Sequence, residues 1–336
     1  MKKVKIAING FGRIGRAVFK IALDNKDVEV VAINDLTNID SLAYLLQHDS
    51  VYGNYPKKVS FDENNIIVNN KKYPVSAVSD PVKLPWKKYK VDVVLECTGV
   101  FVKQGSEKHL TAGAKQVIIS APAKNEQTQT FVYGGNMQDF EKSKKTKVIS
   151  NASCTTNCIT PVMSILDKAF GVERALLTTI HAYTSSQGIV DGPSKKPERG
   201  RAGAVNVVPT TTGAALATSK VLPQLAGKFD GLAIRVPVPC GSISDVTVLL
   251  RKDVTVDQIN NLLKRESKKP MYKKVLKVTD EILVSADIVG DPHSAIVQTN
   301  MTKVVGGDLI KILAWYDNEW GYSTRLIEQA VATIRE

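Results

Sequence analysis

Val4-Lys5-Ile6-Ala7-Ile8-Asn9-Gly10-Phe11-Gly12-Arg13-Ile14-Gly15 reads as an alternating strand that runs into a glycine-rich turn. After it, Ile14, Val18, Ile21 and Ala22 fall on one helical stripe, and Val28 to Ile33 form a second apolar strand closed by Asn34-Asp35. G-x-G-x-x-G alone is weak evidence, because glycine-rich turns are common. Set between a strand and a helix, with an acidic residue about 20 positions further on, it has the dinucleotide-binding context. Gly10 permits the tight turn, Gly12 lets a pyrophosphate approach the backbone, Gly15 allows close packing, and the helix start holds the negative charge. A plain βαβ unit without a ligand is the alternative. Asp35 would accept hydrogen bonds from ribose hydroxyls and repel a 2′-phosphate, which favours NAD over NADP.

Further strands are predicted at Asp92 to Cys97, Gln116 to Ser120, Thr130 to Tyr133 and Val148 to Ser150, alternating with helices at Ile39 to Gln47 and Ser106 to Ala112. That alternation predicts an α/β fold with a mostly parallel, doubly wound sheet of Rossmann type. Ligands lie at the carboxyl ends of such strands, so the turns at Thr98-Gly99 and Ser120-Ala121-Pro122 should line a cofactor cleft. Tyr52 to Lys90 reads as hairpins and basic loops, and no function is taken from it. Past Cys158 the pattern changes. The runs Ala175 to His181, Ala233 to Val238, Ser244 to Leu250 and Ile296 to Thr299 predict an α+β domain with a mixed or antiparallel sheet, with helices at Ala214 to Leu222 and Val256 to Glu266. The expected division is a cofactor domain over 1–150 and a catalytic domain over 151–317, the latter with a long loop at 183–207. A last helix within about 318–336 is expected to return to the first domain.

A chain of 336 residues can bury two cores. Its net charge of +12 raises nucleic acid as a partner, but the lysines come in scattered pairs such as Lys57-Lys58, Lys71-Lys72 and Lys268-Lys269, with a longer run at Lys142 to Lys147. No stacking motif stands beside them. They read as a solvated basic surface with weak attraction for anions. The four cysteines, Cys97, Cys154, Cys158 and Cys240, are irregularly spaced and lack paired histidines, so neither a disulfide framework nor a metal site is expected. Met1-Lys2-Lys3 leads straight into the first strand, too short for a signal sequence, and no apolar run approaches the length that spans a bilayer. A soluble, cytoplasmic protein is expected.

Chemistry is expected at Asn151-Ala152-Ser153-Cys154-Thr155-Thr156-Asn157-Cys158, which sets a cysteine among hydroxyl and amide groups after a short apolar strand. A thiol at a helix start gains from the positive end of the dipole, which should lower its pKa. An ordinary buried cysteine is the alternative. Pro161 leaves a second question open: either the helix begun at Cys154 bends there, or it starts at Pro161. A dinucleotide domain joined to a reactive thiol suggests aldehyde oxidation, because a thiol adduct of an aldehyde can give up a hydride. The thiol needs a base, and His48, His109, His181 and His293 are the candidates, with His181 favoured because it ends a strand in the domain of Cys154.

Asn9 to Arg16, Ser153 to Cys158, Thr179 to Thr184, Pro209 to Ala215, Arg235-Val236-Pro237 and Trp315 to Tyr322 together resemble the phosphorylating glyceraldehyde-3-phosphate dehydrogenase family, in order along the chain. The resemblance implies that Cys154 is the nucleophile and His181 its base and later its acid, with a thiohemiacetal and a thioester as covalent intermediates. It implies one anion site for the substrate phosphate at Thr184 and Arg235. A second, for inorganic phosphate, would use Ser153, Thr155, Thr212, Gly213 and Arg199. Asn318 would fix the nicotinamide carboxamide, and Arg13 with Ile14 would lie against the pyrophosphate. The partners implied are glyceraldehyde 3-phosphate, inorganic phosphate and three further copies of the chain.

The chain departs from the family pattern at Lys195-Lys196-Pro197-Glu198-Arg199-Gly200-Arg201, where Glu198 takes the place of an arginine, and at Pro239-Cys240-Gly241-Ser242. Two rivals stay open. One is erythrose-4-phosphate dehydrogenase, which shares the thiol chemistry but passes the acyl group to water. The other is a basic nucleic-acid-binding protein on the same fold.

Overall fold

The strand Val4–Asn9 is the centre of a nine-stranded sheet. Its neighbours Val28–Asn34 and Val93–Glu96 pair with it in parallel, and the sheet continues through Gln116–Ile119 and Val148–Ser150 to Gln129–Thr130. Central parallel strands are covered on both faces, and Val93–Glu96 and Gln116–Ile119 are accordingly buried at every position. Full burial of Ile6, Ile8, Leu95 and Ile118 contributes about 1.5–3 kcal/mol per side chain. On the other edge, Lys71–Ser76 is parallel to Val28–Asn34, and Asn65–Val68 and Val59–Phe61 add an antiparallel hairpin.

A second, mixed sheet is built on Val172–Ala182, parallel to Phe229–Val236 and antiparallel to Ser242–Leu250. It extends through Leu309–Tyr316 to Ala295–Gln298 and Leu276–Thr279. The fold is therefore α/β of Rossmann type in the first sheet and α+β in the second.

The computed structural model describes residues 2–143 and 146–335, so the Lys144-Lys145 part of the basic run lies outside them. The chain divides into one unit of Met1–Phe131, Gln138–Ala152 and Ser323–Glu336 and another of Val132–Met137 and Ser153–Tyr322. Val132–Met137 joins the second unit through two glycines. A Cβ on Gly134 would stand 2.8 Å from the Pro161 ring, and one on Gly135 would stand 2.6 Å from Thr160 and Val221. This diversion corrects the predicted strand Thr130 to Tyr133, of which only Thr130 is in a strand, the two-residue Gln129–Thr130.

The helix predicted over Ser106 to Ala112 is a single turn, Lys108–Thr111, after Gly105 at φ +94°. The strand predicted from Ala233 to Val238 ends at Val236, where Pro237 supplies no N–H to the ladder. The last helix is Trp320–Ala332. Among the described residues no helix is long and apolar enough to cross a membrane.

Candidate active site

In the first unit the helix Arg13–Asp24 follows Gly12, which supplies no side-chain cap, and carries no acidic residue in its first turn. The three glycines have distinct reasons to be glycine. Gly10 has φ +92°, and a Cβ there would lie 2.7 Å from Thr98 N. A Cβ on Gly15 would lie 2.1 Å from Gly10 O, so helix and turn touch through bare backbone. Gly12 needs neither freedom, since a Cβ there meets nothing within 4 Å. That open space above an uncapped helix start fits a dinucleotide pyrophosphate.

Asp35 ends the second strand, where Oδ2 accepts Phe11 N–H at 2.6 Å and Oδ1 accepts Thr37 N–H at 2.9 Å. Arg13 extends from the first helical turn, beside Ile14, to Asp49 at 2.9 Å. Thr98 and Ser120 close the strands Val93–Glu96 and Gln116–Ile119, and Ser120 N–H donates to Glu96 O at 2.9 Å.

In the second unit the helix spans Cys154–Phe170 with Pro161 inside it. Of the two possibilities for its start, Cys154 is correct. Ser153 Oγ accepts Thr156 N–H at 3.0 Å, a cap that secures the first turn, and the helix is buried from Thr155 to Leu166. Ala152, just before the cap, is held at φ +56°, in the left-handed region that favours glycine, and is fully buried.

Cys154 Sγ lies 3.4 Å from His181 Nε2. His181 Nδ1 faces Ala182 O at 2.7 Å, and donation there leaves Nε2 to receive the thiol proton. Arg235 Nη1 donates to the same carbonyl at 2.8 Å and stands 2.8 Å from Nδ1. Burial pushes the Cys154 thiol up, while Arg235, the Thr155 hydroxyl and backbone N–H groups pull it down. Burial and then the Arg235 cation lower His181 to about 3. The expected lowering by the helix start is thus present but outweighed, because desolvation penalises a lone thiolate more than the dipole stabilises it. Both shifts favour a neutral thiol beside a neutral imidazole.

Arg199 also acts on both His181 and Arg235, which marks a region of positive potential. Arg235 Nε is buried without a hydrogen-bond partner, as suits a site that takes an anion. Arg199 donates through Nε to Thr210 Oγ1 at 3.1 Å and through Nη2 to Thr211 O at 3.1 Å. Glu198 accepts the Thr210 hydroxyl at 2.6 Å, so the residue that departs from the family pattern turns that oxygen's lone pairs toward Arg199.

Thr212 and Gly213 precede the helix Ala214–Val221, and Thr212 Oγ1 accepts Ala214 N–H at 3.2 Å. Thr184 pairs with Ser186 through their hydroxyls at 2.8 Å. Thr155 differs from the other anion-site candidates: it is buried, and its hydroxyl meets Tyr316 at 2.8 Å.

Within the stretch Trp315 to Tyr322, Tyr316 is a residue that no sequence signal singles out. Its hydroxyl bridges Thr155 and Thr179, and its ring stands edge-on to His181 at 6.0 Å. Ser242 is another. It accepts Ala182 N–H at 3.1 Å and donates to Asn318 Oδ1 at 2.9 Å, which leaves the Asn318 amide N–H groups to bind a carbonyl. Cys240 is buried and donates to Asp317 at 3.2 Å, and Cys158 is buried with Sγ 3.6 Å from Ala314 O, so both are packing residues. Of the remaining histidines, His48 and His109 belong to the first unit, and His293 Nδ1 is held by Asp291 at 2.7 Å. Among the described residues no cluster could hold a metal ion.

Comparison with known proteins gives matches over nearly the whole chain. Residues 4–104 match the model of the glyceraldehyde 3-phosphate dehydrogenase NAD binding domain, and residues 153–318 match that of the C-terminal domain. Glyceraldehyde-3-phosphate dehydrogenase 2 of Bacillus subtilis is 49% identical over 327 residues, covering 97% of this chain and 95% of its own. The Borreliella burgdorferi glyceraldehyde-3-phosphate dehydrogenase is 48% identical over 339 residues, covering 99% and 100%. That of Geobacillus stearothermophilus is 49% identical over 328 residues, covering 97% of each chain.

Proposed function

The chain belongs to the glyceraldehyde 3-phosphate dehydrogenase family and is an NAD-dependent enzyme of glycolysis that oxidises and phosphorylates glyceraldehyde 3-phosphate, and we propose that Cys154 and His181 carry the reaction. The 3.4 Å approach of Cys154 Sγ to His181 Nε2 at a capped helix start is the observation that supports these roles best. His181 takes the thiol proton as the sulfur adds to the aldehyde carbon and passes it to the oxygen of the thiohemiacetal, which the Cys154 N–H at the helix start also stabilises. Bound NAD supplies the hydride acceptor. Loss of hydride from the sulfur-bound carbon, with His181 removing the hydroxyl proton, leaves a thioester on Cys154. Phosphate attacks the thioester carbon, the thiolate leaves, and 1,3-bisphosphoglycerate carries away the acyl group.

Arg235 and Thr184 hold the substrate phosphate in this scheme. Ser153, Thr155, Thr212, Gly213 and Arg199 serve the attacking phosphate, a task suited to hydroxyls and a guanidinium near positive potential. The test is NADH formation from glyceraldehyde 3-phosphate with and without phosphate, set beside erythrose 4-phosphate. Rates that ignore phosphate, or a preference for the four-carbon aldehyde, would remove the phosphorylating assignment.

Gly10, Gly12, Arg13, Ile14, Gly15, Asp35, Thr98, Ser120 and Asn318 receive NAD in the same proposal. Asp35→Gly should raise the NADP-to-NAD ratio of kcat/KM by about tenfold or more, since it removes the carboxylate that would face a 2′-phosphate. An unchanged ratio would show that another residue selects. A cytoplasmic homotetramer is proposed as the working form. Leu176 and Leu232 are 67% and 46% exposed on the outer face of the second sheet, and Ile189, Val190, Val205 and Val207 are exposed in the long loop, apolar surface that further copies would cover.

A further inference from the structure

His109 has no part in the thiol chemistry, yet it is fully buried in the first unit and hydrogen-bonded at both ring nitrogens. Trp86 Nε1 donates to His109 Nδ1 at 2.9 Å. An indole N–H is a donor only, so Nδ1 accepts and the ring proton sits on Nε2. Nε2 then donates to Glu96 Oε2 at 2.9 Å. Asn9 Nδ2 donates to the same oxygen at 2.5 Å, and the Asn9 amide is oriented for this because its Oδ1 already accepts Asn34 Nδ2 at 2.7 Å. Glu96 Oε1 accepts Thr98 N–H at 2.8 Å and the Thr98 hydroxyl.

All four groups around Glu96 are donors. A carboxylate, with two oxygens that only accept, satisfies them, whereas glutamine would turn an NH2 toward one pair of donors. The restraint reaches the cofactor turn. With its hydroxyl proton given to Glu96, Thr98 Oγ1 accepts Val100 N–H at 3.0 Å, which closes the turn around Gly99. Thr98 N stands where only a glycine can face it, because a Cβ on Gly10 would lie 2.7 Å away.

We propose that Glu96, seated by Asn9, His109 and Trp86, is a positioning residue for the dinucleotide: it clamps the Thr98 turn against Gly10 and so sets the affinity for NAD without touching the thiol chemistry. The inference rests on the reading that the Gly10 to Gly15 turn and Thr98 border NAD. The experiment measures KM for NAD, kcat and the thermal midpoint for full-length Glu96→Gln and His109→Phe. Val94→Ala, a cavity in the strand that carries Glu96, and Gly12→Val, a side chain in the open space over the helix start, serve as controls.

Glu96→Gln should raise KM for NAD about tenfold or more, and His109→Phe, which removes one of the donors that seat the carboxylate, severalfold, with kcat held within about twofold. Val94→Ala should lower the midpoint and leave KM alone. A KM for Glu96→Gln within about twofold of the parent, or one that moves only as far as Val94→Ala moves it, overturns the proposal. If Glu96→Gln does not fold, His109→Phe decides, because it keeps the carboxylate and its other donors and alters no residue assigned to NAD. Should Gly12→Val also leave NAD binding intact, the underlying reading of the turn fails. Should Gly12→Val weaken binding while Glu96→Gln and His109→Phe do not, the clamp alone is wrong.

Discussion

Cys154→Ser is expected to bind NAD as the parent does and to oxidise glyceraldehyde 3-phosphate about 10⁴-fold more slowly or worse, a loss of about 5 kcal/mol or more in transition-state stabilisation. Serine fits the helix start, where Ser153 caps the turn and the following residues are buried, so the fold should survive. Its hydroxyl is a far weaker acid than a thiol, and His181, lowered to about 3 by burial and by Arg235, is too weak a base to ionise it. An alkoxide would also be the worse leaving group when phosphate attacks the acyl-enzyme. Initial rates of NADH formation at saturating aldehyde and phosphate, beside an NAD titration, check the expectation. Turnover within about tenfold of the parent would mean that the oxidation does not run through this sulfur.

His181→Asn should cost about 10²- to 10⁴-fold in kcat. The amide can keep the hydrogen bond to Ala182 O but cannot take a proton from Sγ. Alkylation of Cys154 by iodoacetamide near neutral pH separates the sources of activation. If His181 supplies the thiolate, alkylation should slow by about tenfold or more along with turnover. If alkylation stays at the parental rate, the helix start and Arg235 activate the sulfur by themselves. The lowering of kcat would then report only the later proton transfers. Burial raises the thiol despite the helix start, which makes the slower alkylation the expected result.

The dinucleotide turn was legible because its signals are local. A two-residue period, three glycines and an acidic strand end all fall within the first 35 residues, and backbone sterics alone assign Gly10 and Gly15 their places. The cysteine was legible for a similar reason, since the hydroxyl and amide neighbours that set it apart from a core thiol, Asn151 to Asn157, follow directly on a short apolar strand. What escaped depends on partners far along the chain. Thr155 looks like a free hydroxyl until Tyr316, 161 residues later, is found bonded to it. Cys240 looks like a spare thiol until Asp317, 77 residues on, is found to accept from it. His109 is one of four candidate bases in the sequence, and the bonds to Trp86 and Glu96 that occupy both its ring nitrogens leave no sequence pattern at all. The diversion at Gly134-Gly135 was likewise invisible, because a strand-like run was cut short by tertiary packing against Pro161 and Thr160.

The order in which the two units take up the chain bears on how the protein can be made. The first unit includes residues 323–336, where Gln329 Nε2 donates to Phe131 O at 3.1 Å and Arg335 pairs with Asp27 at 2.7 Å and reaches Lys2 O at 3.2 Å. A ribosome that has released the whole first sheet has therefore still to deliver the helix that completes it, with the entire second sheet synthesised in between. The amino-terminal half must wait, partly unfinished, for most of translation. A fragment cut near residue 150 would lack that closing helix, whereas a fragment retaining both ends without the middle would hold every piece of the first unit.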